Sequence, residues 1–243
     1  MSQLRSLFLL LIVPIFTLIC SILAFLVFAP FCTRQACDKL ILFWSKTILF
    51  LSGVKVRVNG LKNLEKANSV IFVSNHLSHF DIPILYSIIP NSFRMAAKAE
   101  LFKIPLFGHA LKAFGFFPIQ RENPNNSKNT FELMEEQFRL GESVWLAPEG
   151  TRQSKAEIGE FKMGAFYLAI RTCHNIVPIV IFGSQNVLKK NSFFISWNKW
   201  SENVRIEIGT PVAIEKWSME TRHELREYVR NQMVETFGRL VRS

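Results

Sequence analysis

The sequence lacks the cysteine spacing of a disulfide framework or of a zinc site. Its four cysteines (Cys20, Cys32, Cys37 and Cys173) include no CxxC pair, and both kinds of site need cysteines at short, regular intervals. We therefore expect the folded body to lie in a reducing compartment. Internal repeats and low-complexity linkers are also missing, so the 243 residues are expected to form one sizeable domain plus a terminal appendage.

Acidic residues are scarce relative to basic ones. The 19 Asp and Glu residues face 29 Lys and Arg residues, which gives a formal net charge of +10. Such a charge favours an anionic partner, either nucleic acid or an acidic membrane surface. Because 49% of the residues are hydrophobic and 23 of them are Phe, we expect membrane lipid as the partner and no nucleic acid.

Charge is absent altogether from residues 6–33, a run of 28 residues. About 20 apolar residues in a helix cross a bilayer core, and the run is too long for a cleaved signal peptide. A second apolar stretch, 40–51, contains Lys46 and is typical of an amphipathic helix in the membrane interface. We predict membrane-anchoring helices over 1–52, spanning or dipping into one leaflet, and a separate domain over 53–243.

Basic residues are frequent just after the first apolar segment. They place positive charge next to the membrane at Arg34, Lys39, Lys46, Lys55 and Arg57. Positive flanks of this kind favour the cytoplasmic side. We therefore expect a membrane-associated protein with a cytoplasmic body, on the inner or plasma membrane if the source is bacterial.

Strand patterns alternate with helical patterns along the rest of the chain. Strands are predicted at 54–58, 69–74, 93–97, 116–119, 143–147, 176–182 and 204–208, and helices at 81–89, 101–114, 128–140, 163–172 and 218–241. The helical pattern at 101–114 is broken at Pro105 and Gly108, and 121–126 is predicted to be a polar turn. Alternation of this kind indicates an α/β layered fold. We expect a mixed or mostly parallel sheet flanked by helices, with the N-terminal helical membrane anchor attached.

His76 and Asp81 form the first candidate constellation. They follow a predicted strand and precede a predicted helix, and this edge of an α/β sheet is where ligands usually bind. A carboxylate bonded to one imidazole nitrogen leaves the other free to take a proton from a hydroxyl. The alternative is a buried structural histidine beside an aspartate that only caps the helix.

His79 adds a metal interpretation of the same turn. The pattern His76-x-x-His79-x-Asp81 offers ligands on one tight turn. His109, His174 and His223 lie in unrelated contexts, so nothing completes a coordination shell and we predict no metal. No serine or cysteine has a nucleophile-elbow context, so a covalent acyl-enzyme is not indicated.

The second constellation is the tetrapeptide 149–152 (EGTR), which follows the predicted strand at 143–147. Gly150 allows close approach of the backbone to a ligand, and Arg152 offers a planar fork that matches phosphate. An ordinary β-turn with a surface arginine is the alternative for these four residues taken alone.

Four blocks in order resemble the phospholipid/glycerol acyltransferase family, in particular the 1-acyl-sn-glycerol-3-phosphate acyltransferases. They are 75–81 (NHLSHFD), 98–101 with 115–121 (KAEL and GFFPIQR), 147–152 (APEGTR) and 176–179 (IVPI). The resemblance covers roughly residues 50 to 215. Ala147 and Gln120 depart from the family pattern, which usually has phenylalanine and often has an acidic residue at these places.

The resemblance implies an enzyme that moves an acyl chain from acyl-CoA or acyl-carrier protein to the free hydroxyl of lysophosphatidic acid, with no bound cofactor. It implies His76 as general base and Asp81 as its orienting partner. The residues implied to bind or shape the site of the acceptor phosphate are Lys98, Arg121, Glu149, Gly150, Thr151 and Arg152. Lys162, just after this block, adds positive charge.

Two other functions stay open from the sequence. The departures at Gln120 and Ala147 and the aromatic stretch 193–200 favour an acyltransferase for another lysophospholipid or lysolipid. A function of another class is a membrane-tethered protein that binds anionic lipid without catalysis, for which the positive charge and the apolar segment suffice.

Overall fold

A seven-stranded sheet forms the centre of the molecule. In the computed structural model, which describes residues 2–28, 31, 33–65, 69–119, 127–196 and 199–242, the strands are β1 (Val54–Asn59), β2 (Ile71–Ser74), β3 (Phe93–Lys98), β4 (Phe117–Ile119), β5 (Ser143–Leu146), β6 (Ile176–Phe182) and β7 (Glu202–Ile208). Their spatial order is β1-β7-β6-β2-β5-β3-β4. Every neighbouring pair is parallel except β6 and β7.

Helices cover the sheet and precede it. They are α1 (Ser2–Leu23), which continues as a π-helical segment (Ala24–Phe28), α2 (Arg34–Leu51), α3 (Asp81–Ile88), α4 (Phe107–Ala113), α5 (Ser127–Arg139), α6 (Gly164–Thr172), α7 (Ser184–Val187) and α8 (Arg222–Arg242). Short 3-10 helices occupy Leu61–Leu64, Ala99–Lys103 and Ile214–Lys216. The α/β class with a mixed, mostly parallel sheet and flanking helices is confirmed.

Strand direction defines two edges of the sheet. The carboxyl ends of β2, β5 and β6 lie at one edge, which we call the upper edge, and their amino ends lie at the opposite edge, which we call the lower edge. Because β7 is antiparallel to β6 and β1 is parallel to β7, these two strands begin at the upper edge. The loops that leave β2 and β5 therefore share the upper edge with the junctions that enter β1 and β7.

The first two helices are antiparallel neighbours that pack on the body. Arg5 donates to the carbonyl of Leu51 at 3.1 Å, and Trp44 Nε1 donates to Thr17 Oγ1 at 3.1 Å. Helix α1 buries Leu9, and α2 contributes buried side chains to the main core, including Ile41, Ile48 and Leu49. The helix pair is thus joined to the body along its length. The predicted division at residue 52 stays a prediction.

Helix α1 also has a long exposed apolar face. Residues Gln3–Val27 form the one helix of the described chain that is long and apolar enough to cross a membrane, with a mean hydropathy of 2.9. Its outer face carries exposed Leu4, Phe8, Leu11 and Leu18. Exposed apolar area on this scale is typical of contact with a membrane or a partner.

A buried charge network ties α2 to the lower edge of the sheet. Arg94 is 1% exposed, and its guanidinium contacts Asp38 Oδ1 at 2.7 Å and Glu142 Oε1 at 3.2 Å. Ser92 Oγ donates to Asp38 at 2.6 Å. Burial opposes the charge of Arg94, but the two carboxylates raise its pKa above the ordinary value. The arginine therefore stays charged and holds α2 to β3.

The predicted elements match the observed ones, with differences at their ends. The pattern at 101–114 predicts a helix broken at Pro105 and Gly108, but α4 runs through Gly108 and begins at Phe107. The last helix begins at Arg222 rather than at residue 218, since the preceding Ser218 and Thr221 bond to each other in a turn. The polar turn predicted at 121–126 lies outside the described residues.

Candidate active site

The predicted pair His76 and Asp81 lies at the upper edge, where β2 ends and α3 begins. His76 Nδ1 is 2.7 Å from Asp81 Oδ2, and the aspartate is fully buried. The same oxygen accepts the backbone N–H groups of Leu77 and Ser78 at 2.8 and 2.9 Å. These amides precede the helix, so Asp81 does not act only as a helix cap. The contact leaves Nε2 of His76 as the ring nitrogen for a substrate.

Two polar side chains that the sequence did not single out fix the loop that holds His76. The Asn75 amide accepts from the N–H of Ile181 at 2.8 Å and donates to its carbonyl at 2.9 Å. It thereby takes the place of a peptide group and extends the pairing of β2 with β6. Ser78 Oγ donates to the Leu188 carbonyl at 2.9 Å. Only their position at a strand end next to a histidine signals these roles.

Glu149 connects the two candidate motifs. Its carboxylate accepts the N–H of His76 at 2.9 Å through Oε2 and the N–H of Gly159 at 2.9 Å through Oε1. Burial raises the pKa of Glu149 above its ordinary value, and the two backbone N–H groups oppose that shift. The carboxylate thus faces the protein backbone, and it holds the loop after β5 against the loop after β2.

The pKa of Glu149 predicts a pH dependence of stability. Since the folded-state pKa is raised above the unfolded one, the favourable contribution of the neutral acid is present at low pH and is lost as pH rises through the folded pKa. The unfolding free energy of the native chain should therefore fall relative to that of Glu149→Gln as pH rises. Denaturation of both chains across acid to neutral pH measures this difference.

The exposed Glu215→Gln substitution is the matched control for that comparison. Glu215 lies in an exposed 3-10 turn, so its removal should leave the difference from the native chain nearly independent of pH. A difference between native and Glu149→Gln that stays flat, or that rises with pH, contradicts the prediction.

The loop after β5 places its glycine and its arginine beside Lys162. Gly150 has φ of +73°, and a Cβ built on it would lie 2.9 Å from Lys162 Nζ. Glycine is thus favoured by the left-handed backbone, and the short distance shows that Lys162 lies against this loop. Arg152 is half-buried, whereas Thr151 is exposed. The loop brings Arg152 and Lys162 to the same region as His76.

A single cavity of about 650 Å³ lies against these residues. His76, Lys98, Arg152 and Lys162 all line it. Lys98 is mostly exposed and is 3.7 Å from Glu100. The structure therefore brings the predicted histidine and three cationic side chains to one space, within the size range of about 300–1,000 Å³ common for ligand sites.

The rest of the cavity is apolar and is formed by helices. Helix α1 contributes Cys20 and the following π-helical turn contributes Ala24, while α2 contributes Leu40 and Trp44. Further lining residues are Leu111 of α4, Phe114 just after that helix, and Met134 of α5. The helices predicted as an anchor thus wall the cavity, and no sequence pattern marked these positions.

Not every predicted site residue lines the cavity. Glu149 and Thr151 are not among the described lining residues, although Gly150 is. Arg121 and its neighbour Gln120 lie outside the described residues, so their predicted roles stay predictions. Within the described ranges, no group of three or more His, Cys, Asp or Glu side chains is placed to hold a metal ion.

Comparison with known proteins gives a family match. A family model described as Acyltransferase matches residues 55–182. A chloroplastic 1-acyl-sn-glycerol-3-phosphate acyltransferase of Arabidopsis thaliana is 34% identical over 159 residues, which cover 65% of this chain and 44% of that one. The chain therefore spans less than half of the Arabidopsis protein.

Two bacterial relatives align over a larger share of their length. The 1-acyl-sn-glycerol-3-phosphate acyltransferase of Borreliella burgdorferi is 28% identical over 189 residues, covering 78% of this chain and 74% of that one. The enzyme of the same name from Escherichia coli is 25% identical over 191 residues, covering 78% and 76%.

A solved structure matches the whole fold. It is that of the 1-acyl-sn-glycerophosphate acyltransferase from Thermotoga maritima, with a TM-score of 0.79 and 24% sequence identity. The match covers 99% of this chain and 98% of that one. At this identity the likeness speaks for the fold alone.

Proposed function

Because the chain belongs to the acyltransferase family, we propose that it transfers a fatty acyl chain to the free hydroxyl of lysophosphatidic acid and so forms phosphatidic acid. One observation carries the proposal: a single cavity is lined by His76, by Arg152 and Lys162, and by apolar helix residues. Such a cavity offers a base, a site for a phosphate and room for an acyl chain. The names of the relatives support lysophosphatidic acid as the acceptor.

His76 acts as the general base in this proposal. Asp81 Oδ2 holds Nδ1, so Nε2 takes the proton from the acceptor hydroxyl as its oxygen attacks the thioester carbonyl. The carbon–sulfur bond then breaks, and the proton passes from the imidazolium to the leaving thiolate. No protein-bound acyl intermediate is needed, because the hydroxyl attacks the donor directly.

Arg152 and Lys162 bind the phosphate of the acceptor. Arginine forms two parallel hydrogen bonds to phosphate oxygens, and lysine adds a compact charge. Lys98 lies at the exposed side of the cavity and contributes a third cation. Thr151 and Glu149 shape the loop, Glu149 through its bonds to backbone amides. Arg121 is proposed as a further phosphate ligand on the family resemblance.

The acyl chain of the donor occupies the apolar part of the cavity. Leu40, Trp44 and Phe114 line that part, and burial of each methylene stabilises the complex by about 0.8 kcal/mol. The donor is acyl-CoA or acyl-carrier protein, and neither leaves a bound cofactor on the enzyme. The exposed apolar face of α1 supports a position at the membrane, and the basic residues after it favour the cytoplasmic side.

A thiol-release assay with a matrix of donors and acceptors tests the proposal. Acyl-CoA and acyl-carrier protein thioesters are combined with lysophosphatidic acid and with lysolipids that carry a head group on the phosphate. We expect turnover to be highest with lysophosphatidic acid. Higher turnover on head-grouped lysolipids supports the alternative acceptor class. Liposome binding without thiol release for any pair supports the non-catalytic lipid-binding function.

Substitution of Arg152 should weaken acceptor binding more than it slows chemistry. A hydrogen-bonded charge pair contributes about 1.5–3 kcal/mol, so Arg152→Ala should raise KM for lysophosphatidic acid by about 10–100-fold. Monoacylglycerol, which lacks the phosphate, should be affected far less. Steady-state kinetics on both acceptors measures the contrast.

The matched control for Arg152 is Arg171→Ala. Arg171 is a surface arginine that pairs with Glu135 at 2.7 Å, and its loss should leave both KM values near native. An Arg152→Ala chain with equal losses on both acceptors would contradict phosphate binding by Arg152.

A further inference from the structure

A loop between α7 and β7 presents an aromatic and basic surface that the proposed chemistry does not use. Phe193 is 79% exposed and Trp200 is 58% exposed, and Lys189, near the start of the same loop, is exposed as well. We call residues 188–196 with 199–200 the aromatic–basic loop. Aromatic rings mixed with lysines are typical of segments at the membrane–water interface, where the rings lie at headgroup depth.

The loop lies at the upper edge, against the end of α2. The N–H of Glu202 donates to the Gly53 carbonyl at 3.1 Å, which brings the start of β7 to the junction of α2 and β1. Gly53 has φ of +65°, and a Cβ there would lie 2.2 Å from the Trp200 carbonyl oxygen. The adjacent Phe50 is 83% exposed. The loop and the end of α2 therefore form one surface.

The start of α1 belongs to the same surface. The Arg5 guanidinium donates to the carbonyls of Trp200 and Leu51 and lies 5.4 Å from the centre of the Trp200 ring. Leu4, just before Arg5, and Phe8, about one turn after it, are exposed. The apolar face of α1 is thus continuous with Phe50 and with the aromatic–basic loop.

The loop is also linked directly to the histidine loop. Ser78, two residues after His76, donates through Oγ to the carbonyl of Leu188 at 2.9 Å. A membrane bound at the aromatic–basic loop therefore lies at the same edge of the sheet as His76, which lines the cavity.

We propose that the aromatic–basic loop is a second membrane contact, separate from the apolar helix α1, that binds a bilayer containing anionic lipids. Phe193 and Trp200 enter the headgroup region, and Lys189 and Lys190 face the lipid phosphates. Charge complementarity and continuity with the exposed face of α1 identify the partner as lipid rather than protein. The proposal requires membrane association and does not rest on acyl transfer.

Fluorescence quenching by nitroxide-labelled lipids tests the contact in the full chain. Phe193→Cys and Leu140→Cys are each made with Cys32→Ser and Cys173→Ser, and both are labelled with a thiol-reactive fluorophore. Leu140 is 49% exposed and lies at the lower edge, just before β5. In vesicles of phosphatidylcholine and phosphatidylglycerol we expect clear quenching at position 193 and little at position 140. Equal quenching at the two positions overturns the proposal.

The lysines are tested in the same assay. Lys189→Gln with Lys190→Gln should lower the equilibrium constant for loop docking by about 25-fold, about fivefold for each lysine. High salt should have a similar effect on the native loop, because it screens the charges. The matched control pair, Lys62→Gln with Lys216→Gln, removes exposed lysines from the lower edge and should change nothing. Equal effects of the two pairs overturn the role of the lysines.

The quenching assay tests the membrane contact and the turnover assay tests the proposed function, so either proposal can fail without the other. A chain that releases no thiol with any acceptor, yet is quenched at position 193, keeps the membrane contact and loses the proposed function. A chain that turns over normally but is quenched equally at both positions keeps the proposed function and loses the membrane contact.

Discussion

Replacing His76 by alanine should lower acyl transfer by about 10²- to 10⁴-fold, the contribution expected of general base catalysis. The side chain lines the cavity and its Nδ1 is held by Asp81 at 2.7 Å. The fold should persist, because Asp81 Oδ2 still accepts the N–H groups of Leu77 and Ser78. Thiol release from a saturating donor measures the rate, and thermal unfolding in the same detergent measures the fold.

The control for this substitution is His223→Ala. His223 is exposed on α8, so its loss should leave turnover at the native level. Asp81→Asn offers a second variant, since an asparagine that keeps its oxygen on Nδ1 and on the N–H groups of Leu77 and Ser78 removes the negative charge that stabilises the imidazolium. The Asp81→Asn variant should have a lower kcat than the native chain, without a matching rise in KM for the acceptor. Near-native turnover of a folded His76→Ala chain would falsify the general base role.

Replacing Arg94 by alanine should give the largest loss of stability, about 3–5 kcal/mol. The substitution leaves the buried carboxylate of Glu142 and the partly exposed carboxylate of Asp38 without their main cation. Ser92 Oγ contacts both carboxylates, and Glu142 also keeps the more exposed Arg34. Removing one partner of a buried pair costs more than the pair contributes, because the other charge stays buried. Thermal unfolding of native and variant chains in one detergent measures the loss.

Two further variants are compared with Arg94→Ala, one as a control and one that removes a second charge. Arg139→Ala breaks an exposed pair with Glu136 and should cost no more than about 0.5 kcal/mol. Adding Asp38→Asn to Arg94→Ala should recover part of the loss, since one uncompensated charge is then removed. If Arg94→Ala proves as mild as Arg139→Ala, the buried network does not hold α2 to the sheet.

Local sequence patterns predicted the elements of the fold well. The alternation at 54–58 and the apolar run at 176–182 correspond to β1 and β6, because side-chain period and β-branched content act over a few residues. The pairing of His76 with Asp81 was predictable for the same reason, as both lie in one short turn. The family resemblance placed Arg152 beside this pair, and the described cavity contains both.

Contacts between segments that are distant in the chain could not be predicted from the sequence. Arg94 has no local pattern that marks it as buried, because its partners Asp38 and Glu142 are 56 and 48 residues away. Glu149 was assigned to the pocket of the phosphate, yet its oxygens bond to the amides of His76 and Gly159. These roles depend on how loops meet at a sheet edge, which residue type and spacing do not determine.

The wall that α1 gives to the cavity has a consequence for how such a chain changes over time. Cys20 and Ala24 face the cavity, while Leu18 and Leu23 on the same turns face outward. One layer of helix, about 10 Å thick, therefore separates a ligand in the cavity from the surroundings of α1. A mutation that deepens the cavity also alters the packing of the outer helix, so substrate fit and membrane fit must be inherited together. Exchanging the first 52 residues between relatives would transfer both traits or neither.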